Sequence, residues 1–503
     1  MMDGAPILSV IVPLFGAFLM HPVGILARRL NVERVRDLFT VAIMVLVLTI
    51  VLSMAPEVWA GRIVVYKLGG WSPPWGIVLA VDGLALQMAM MIGLLGLLVV
   101  VYSLTYMERE NGLDQFYTLI LLVIAGMMGT VLTADIFNFY VFLEIMSVST
   151  YALIAFKREP TALEASMKYL FIGSTGTALI LLSIALLYAA VGSLNIADLG
   201  RKLAIIKASS TPPPTILVAA LGLFLTGIMI KVAMVPFHTW LPDALGAAPT
   251  AVSALIAGPA AVVGIYWVAR IPYLPFGMPV GIILIALGLL SMVAGVLMAL
   301  VQTDFKRMLA YHVISQKGYM VLGIGLGTTL GIQGGLFHLL NHSTYKSMLF
   351  MAAGAVLYRV GSQKFDELGG LARNMPLTAA VFLIGALAIS GIPPLNGFVS
   401  KYIIYLAGVD AGQPWITAIA VLVSGLTLAS FFKAFSSVFL GPPQERFKDV
   451  KEAPKPMLIP MVIMAAICIA IGLMPALGFN VAGPAEEAAV NAQNYIDQVL
   501  GGT

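Results

Sequence analysis

The sequence predicts an all-α polytopic membrane protein of about fourteen transmembrane helices, and three observations predict it. Of its 503 residues, 60% are hydrophobic and 10% are charged, where an ordinary soluble domain carries about 25% charged residues. Apolar runs long enough to span a bilayer recur from near residue 5 to about residue 476. No polar stretch between them is long enough to fold by itself, so the chain reads as one membrane domain.

A span needs about 20 apolar residues. Runs bounded by charge, or by Gly and Pro, place helices near 5–27, 37–56, 77–106, 115–133, 135–156 and 165–191. Eight more follow near 214–236, 251–270, 277–301, 305–327, 330–358, 376–405, 414–440 and 456–476. The first run carries Pro13 and His21, lacks a basic leading region and is followed by many more spans, which argues against a cleaved signal peptide. With the N-terminus outside, 16 basic residues fall in cytoplasmic loops, Lys157, Lys306, Arg307 and Lys364 among them, and 6 fall outside, Arg201, Lys207 and Arg270 among them. The positive-inside rule favours this orientation in the cell membrane, and an even span count puts both termini outside.

The composition also excludes functions. Cys468 is the single cysteine, so the chain alone holds no disulfide framework, multi-cysteine zinc site or iron-sulfur cluster. Any redox centre, iron-sulfur or other metal, belongs to a partner subunit. The net charge of +4 is small for this length and its basic residues lie in short loops, which gives nucleic-acid binding no support.

Six basic residues remain inside apolar runs, and all are lysines: Lys168, Lys231, Lys317, Lys346, Lys401 and Lys433. Arginine stays charged in any protein environment, whereas lysine can bind and release a proton, so this set suits proton relay. Snorkelling to the headgroups is the competing reading for Lys433 and Lys168. Two spans are interrupted by proline beside a lysine, at Lys231 to Pro236 and at Gly391-Ile392-Pro393-Pro394 before Lys401. Lipid cannot satisfy the backbone groups such breaks free, and paired broken helices point to the transport site of an inverted-repeat transporter. The seventh and twelfth spans correspond if spans four to eight repeat as nine to thirteen with opposite topology. The predicted divisions are 1–114, a first repeat 115–270, a second repeat 277–440, and the last helix with a short tail, 441–503.

Glu144 is the one carboxylate placed clearly inside a span, and Lys231 is its expected partner, either for transport or as a structural ion pair. His338, His342 and Lys346 are spaced i, i+4, i+8 and form one titratable stripe about 12 Å long. The competing readings for the histidines are a metal site lacking a third ligand, haem ligation, or core packing. Lys317, on the tenth span, is expected on the central path. His312 either feeds protons inward or sits at the interface, and His238 either links Lys231 to water or caps the broken helix.

At these residues the chain resembles the antiporter-like subunits shared by Mrp-type sodium/proton antiporters, respiratory complex I and the archaeal membrane-bound hydrogenases and sulfane reductases. The resemblance rests on Lys231, Pro236-Phe237-His238-Thr239-Trp240-Leu241-Pro242-Asp243-Ala244 and Ala248-Pro249-Thr250-Ala251-Val252-Ser253-Ala254. It continues through Asp304-Phe305-Lys306-Arg307, Ser315-Gln316, the His338 to Lys346 stripe, and Gly391 to Lys401. It implies a fourteen-helix fold with two inverted five-helix repeats, broken seventh and twelfth helices, and a polar axis across the membrane. It further implies that Glu144, Lys231, Lys346 and Lys401 are the family's fifth-, seventh-, eleventh- and twelfth-helix charges, and that His338 and His342 are its helical pair.

One departure stands out. The family's eighth-helix lysine aligns with Val262, and Ala257 to Gly264 contains no titratable group. Either Lys317 or water bridges the gap, or the subunit serves coupling without conduction. Because the chain stops about 27 residues after its last predicted span, it resembles the shorter D-type subunits; the tail with Glu486, Glu487 and Tyr495-Ile496-Asp497 is a short amphipathic helix with no assigned role. The expected function is a non-catalytic proton- or cation-translocating subunit of a multisubunit complex, with other membrane subunits as partners and protons, with or without sodium, as cargo. A stand-alone solute transporter, a quinone- or haem-binding subunit and a non-conducting scaffold are the alternatives.

Overall fold

The computed structural model describes residues 4–29, 32, 34–209, 212–442 and 444–501, most of which are helical. Among them, eleven helices are long and apolar enough to cross a membrane, from Ala5–Arg29 to Lys455–Leu473. Helices also occupy the stretches expected as the tenth, eleventh and twelfth spans: Phe305–Gly325, Thr329–Val360 and the pair Pro376–Ser390 and Asn396–Asp410. Their apolar signal is weaker because they carry the interior polar groups: His312 and Lys317 on the first, His338, His342 and Lys346 on the second, a break before Lys401 on the third.

Three expectations are corrected. The run near 77–106 opens as a strand, Val78–Val81, paired antiparallel with Val64–Lys67 in the register Val64 to Val81 and Lys67 to Val78. All four of its residues are buried, so it reads as apolar as a helix and periodicity alone cannot separate the two. Asp82 then starts the Gly83–Tyr106 helix by accepting from Ala85 N at 2.9 Å. Arg270 lies in no watery loop: it is 2% exposed and grips Asp82 with both guanidinium nitrogens, at 2.6 and 2.8 Å. Lys306 is likewise 2% exposed rather than free in a loop.

Helices approach closely where small residues meet, as expected when packing rather than water exclusion drives association in lipid. A Cβ on Gly227 would lie 2.5 Å from Gly176 O, and Ser183 Oγ donates across the same contact to Ala220 O at 2.6 Å. This seats the Thr215–Val232 helix, which ends in Lys231 and Val232, against Pro160–Val191. A Cβ on Gly318 would lie 2.6 Å from Gly288 O, which fixes the Lys317 turn against Gly281–Leu300.

The two proline breaks have the same form. Thr215–Val232 ends in Ala233, at φ +58°, before a cis Val235-Pro236 bond; Pro376–Ser390 ends in Gly391, at φ +78°, before a cis Pro393-Pro394 bond. Helices resume as Trp240–Ala247 and Asn396–Asp410. A second feature also occurs twice. Asp135 caps Ile136–Ile154 and bridges to Asn195, and Asp304 caps Phe305–Gly325 and bridges to Lys364, with the same sequence separation in both.

The tail forms two helices, Pro475–Val490 and Ala492–Leu500. The second docks on the Asp82–Arg270 pair through Tyr495, whose ring lies 4.9 Å from the guanidinium carbon, while Gln498 Oε1 accepts from Ile63 N at 2.8 Å.

Candidate functional site

The site begins at Glu144, half-buried near the outer face of the bundle beside the exposed Val148. The direct Glu144–Lys231 pair expected from the sequence is absent. Lys231 Nζ instead donates to Ser147 Oγ at 2.6 Å and approaches Tyr151 OH at 3.5 Å, one and two turns further along the glutamate's helix. The rings of Tyr151 and Tyr169 lie 5.7 and 5.3 Å from the same ammonium, so hydroxyl and π-faces solvate it, while the Glu144 charge acts from beyond. A cavity of about 20 Å³ lined by Thr150 and Lys231 adjoins them, room for about one water.

The break beyond Lys231 frees backbone groups, and three of them find side chains. Trp240 Nε1 donates to Ile230 O at 3.0 Å, Ser291 Oγ accepts from Val235 N at 3.0 Å, and Lys317 Nζ donates to Val232 O at 2.6 Å. Lys317 is fully buried, so the helix C-terminus is its immediate counter-dipole. His238 follows the break half-buried, with Nδ1 unpartnered.

The charge of Lys317 reaches His342, and so do those of His338 and Lys346. His338, His342 and Lys346 are all fully buried on one unbroken helix, Thr329–Val360. Lys346 Nζ donates to Leu309 O at 3.0 Å, with the Phe431 ring at 5.8 Å. His338 Nδ1 pairs with Ser400 Oγ at 2.9 Å, directly before Lys401. His342 has no hydrogen-bond partner for either ring nitrogen. His312 pairs with Ser430 Oγ at 2.8 Å and feels the charges of Lys346 and Lys401.

Lys401 closes the row. Its Nζ donates to Ser424 Oγ at 2.9 Å, 4.4 Å from the Tyr319 ring centre, and the Tyr319 and Tyr405 hydroxyls reach the same serine at 2.8 and 2.6 Å. Asn341 and Asn396 exchange hydrogen bonds of 2.9 and 3.1 Å and anchor the second half of the broken helix to the histidine helix. Among the described residues, no group of three or more His, Cys, Asp or Glu side chains is placed to hold a metal ion.

Val262 is buried, and its helix relaxes just before it into a wider turn, Ile256–Ala260, with Gly258 at φ −85° and ψ −105°. Ser347 Oγ takes the Ala254 carbonyl at 3.0 Å, and a Cβ on Gly258 would strike that serine. Two other lysines lie off the row. Lys168 is half exposed and pairs with Glu164 and Asp243, and Lys433 Nζ donates to the Leu300 and Gln302 carbonyls at 2.8 Å.

Sequence reasoning thus found the charges and missed their hydroxyl partners, Ser147, Tyr151, Tyr319, Tyr405 and Ser424. The spacing of Glu144, Ser147 and Tyr151 on one helical face was the available signal for the first two.

A polytopic helical bundle with two broken helices and a buried row of lysines and histidines defines an antiporter-like membrane protein. Residues 133–427 match the family model described as NADH:quinone oxidoreductase/Mrp antiporter, and residues 67–117 match complex I chain 5 N-terminus. The chain belongs to this proton-antiporter family. It is 36% identical to NADH-quinone oxidoreductase subunit N of Desulforudis audaxviator over 93% of this chain and 95% of that one. It is 33% identical to the D-type Na(+)/H(+) antiporter subunit of Alkalihalophilus pseudofirmus over 99% and 100%. Among solved structures, a chain of the Mrp complex from Dietzia sp. superimposes with a TM-score of 0.90 at 29% identity, covering 99% of both chains.

Proposed function

We propose that this chain translocates protons or cations in a larger membrane complex, along Glu144, Lys231, Lys317, His342 with His338 and Lys346, and Lys401. One observation carries the proposal: each buried lysine on the row is held by neutral hydroxyl or carbonyl groups, Lys317 sits on the carbonyl that follows Lys231, and from Lys317 onward the charges act on one another through His342 and Lys346 to Lys401. Neutral ligands stabilise an ammonium without fixing its charge as a carboxylate would, which suits a group that must give up its proton. Lys317 supplies the bridge that Val262 does not. His312, beside Lys346 and Lys401, branches inward, and His238 lies where the broken helix opens.

The paired breaks and the paired aspartate-capped bridges support two inverted five-helix repeats, 115–270 and 277–440, within a fourteen-span topology with both termini outside. The chain is non-catalytic, and similarity to both a D-type antiporter subunit and an oxidoreductase subunit N supports neighbouring membrane subunits as partners. The test is transport by the intact complex in vesicles. Lys231→Ala and Lys401→Ala assemble and lose proton or sodium transport; full transport by either removes that residue from the path.

A further inference from the structure

A charged cavity of about 590 Å³ opens at the end of the bundle where Ile136–Ile154 finishes and Phe305–Gly325 begins. A second, of about 370 Å³, shares Thr161, Gly246, Ala247 and Gln363 with it. The rim of the larger cavity carries both signs, and its charges largely neutralise one another: Lys157 pairs with Glu110 at 2.8 Å and Lys364 with Glu367 at 3.5 Å. Lys306 lines the same cavity and is spent on none of these pairs.

Lys306 is buried, forms no ion pair among the described residues, and donates to one neutral acceptor, Ala248 O. Asp304, Lys157 and Glu159 are the charged groups that act on it. The Asp304 carboxylate is occupied in capping Arg307 N at 2.8 Å. A buried ammonium without a counter-ion is costly, so a lysine kept in such a place reads first as functional. Its position gives it a task. Leu309, three residues further along the same helix and about 4.5 Å further in, is the residue whose carbonyl holds Lys346 Nζ at 3.0 Å.

We propose that this cavity is the intake mouth of the path and that Lys306 is its proton-loading residue; the inference rests on the axis proposed above. A hydronium ion in the cavity protonates the neutral Lys306 amine and leaves as water. Lys306 then releases that proton inward along this helix and returns to the amine, and the neutral Lys346 amine takes it up as the ammonium. The pairing of the rim charges lets a small cation approach without a fixed counter-ion to trap it.

The experiment uses the intact complex in vesicles, with a pH-sensitive dye to follow transport. Lys306→Gln keeps a donor for Ala248 O but carries no exchangeable charge, and Lys306→Arg keeps the charge but does not release it. Both are expected to copurify with their partners and to lose transport tenfold or more. Thr161→Cys, on the wall between the two cavities, transports normally until a charged, membrane-impermeant thiol reagent is added, then falls at least tenfold. The native Cys468 is buried and does not compete for the reagent. Transport above half the normal rate in Lys306→Gln or Lys306→Arg, or in labelled Thr161→Cys, overturns the proposal; the labelling arm decides it if the lysine variants do not assemble. Lys401→Ala run in parallel separates the two readings: its loss of transport beside an active Lys306→Gln leaves the axis standing and moves the mouth elsewhere, whereas its retention removes the axis.

Discussion

Lys317 places its ammonium 2.6 Å from the carbonyl of Val232, the last residue of the helix that carries Lys231. One lysine therefore ends the helix of the other, and two lysines from distant parts of the sequence become neighbours through a single backbone carbonyl. A cation at a helix C-terminus is favoured by the macrodipole, so this contact stabilises the break as well as extending the row.

These two roles separate by substitution. Lys317→Gln retains a donor for Val232 O without a titratable charge, so the complex assembles and transport falls by roughly tenfold, one hop's worth of about 1.4 kcal/mol. Lys317→Met leaves the carbonyl unsatisfied, at a cost of about 1–3 kcal/mol, and lowers thermal stability as well. Unchanged pumping in Lys317→Met would show that the bridge lies elsewhere.

Ser147 is the group that stands between Glu144 and Lys231. In Ser147→Ala the only hydrogen-bond partner left to the lysine is Tyr151 OH, at 3.5 Å, beside the two tyrosine rings, and its charged form loses about 1–3 kcal/mol of stabilisation. Transport by the reconstituted complex slows by roughly tenfold, and Ser147→Thr restores it. An alanine variant with the normal rate would assign the lysine a different partner.

The Asp82–Arg270 pair is fully desolvated and covered by Tyr266 and Tyr495. Removing one partner strands the other, so Arg270→Ala lowers stability by about 3–5 kcal/mol. Tyr495→Ala, which strips only the tail's π-face, costs about 0.5–2 kcal/mol. The thermal midpoint of the detergent-purified protein measures both, and equal midpoints for the two variants would mean that the tail, not the ion pair, carries the stability.

Asp198 begins the amphipathic helix Ile196–Ser209, outside the spans. Burial pushes its carboxyl up, but Lys202 at 3.0 Å, Ser193 and Arg201 at 2.6 Å together outweigh burial and hold it below the usual carboxylate range. A carboxylate depressed on folding stabilises above its unfolded value, near 3.9, and that stabilisation is lost as pH falls through the lower folded value. The thermal midpoint of the wild type therefore drops more steeply than that of Asp198→Asn between about pH 5 and pH 2. Parallel pH curves would show that Asp198 makes no net contribution.

The sequence by itself determined the membrane class, the interior lysines and histidines, both proline breaks and the family resemblance. Each of these is written in local composition or in a short motif: apolar length, a charge within an apolar run, a proline next to a lysine. It also marked Val262 as a gap and Lys317 as a candidate to bridge it. The tertiary structure alone decided what each charge meets. Ser147 lies 84 positions from Lys231, Val232 lies 85 from Lys317, and Asp82 lies 188 from Arg270. Helical periodicity says which face a residue occupies but not which helix packs there, so the expected Glu144–Lys231 pair gave way to a serine and an apparent loop lysine, Lys306, became a buried one. The strand at Val78–Val81 was hidden for the same reason, because a segment buried on both faces is uniformly apolar whether it folds as helix or strand.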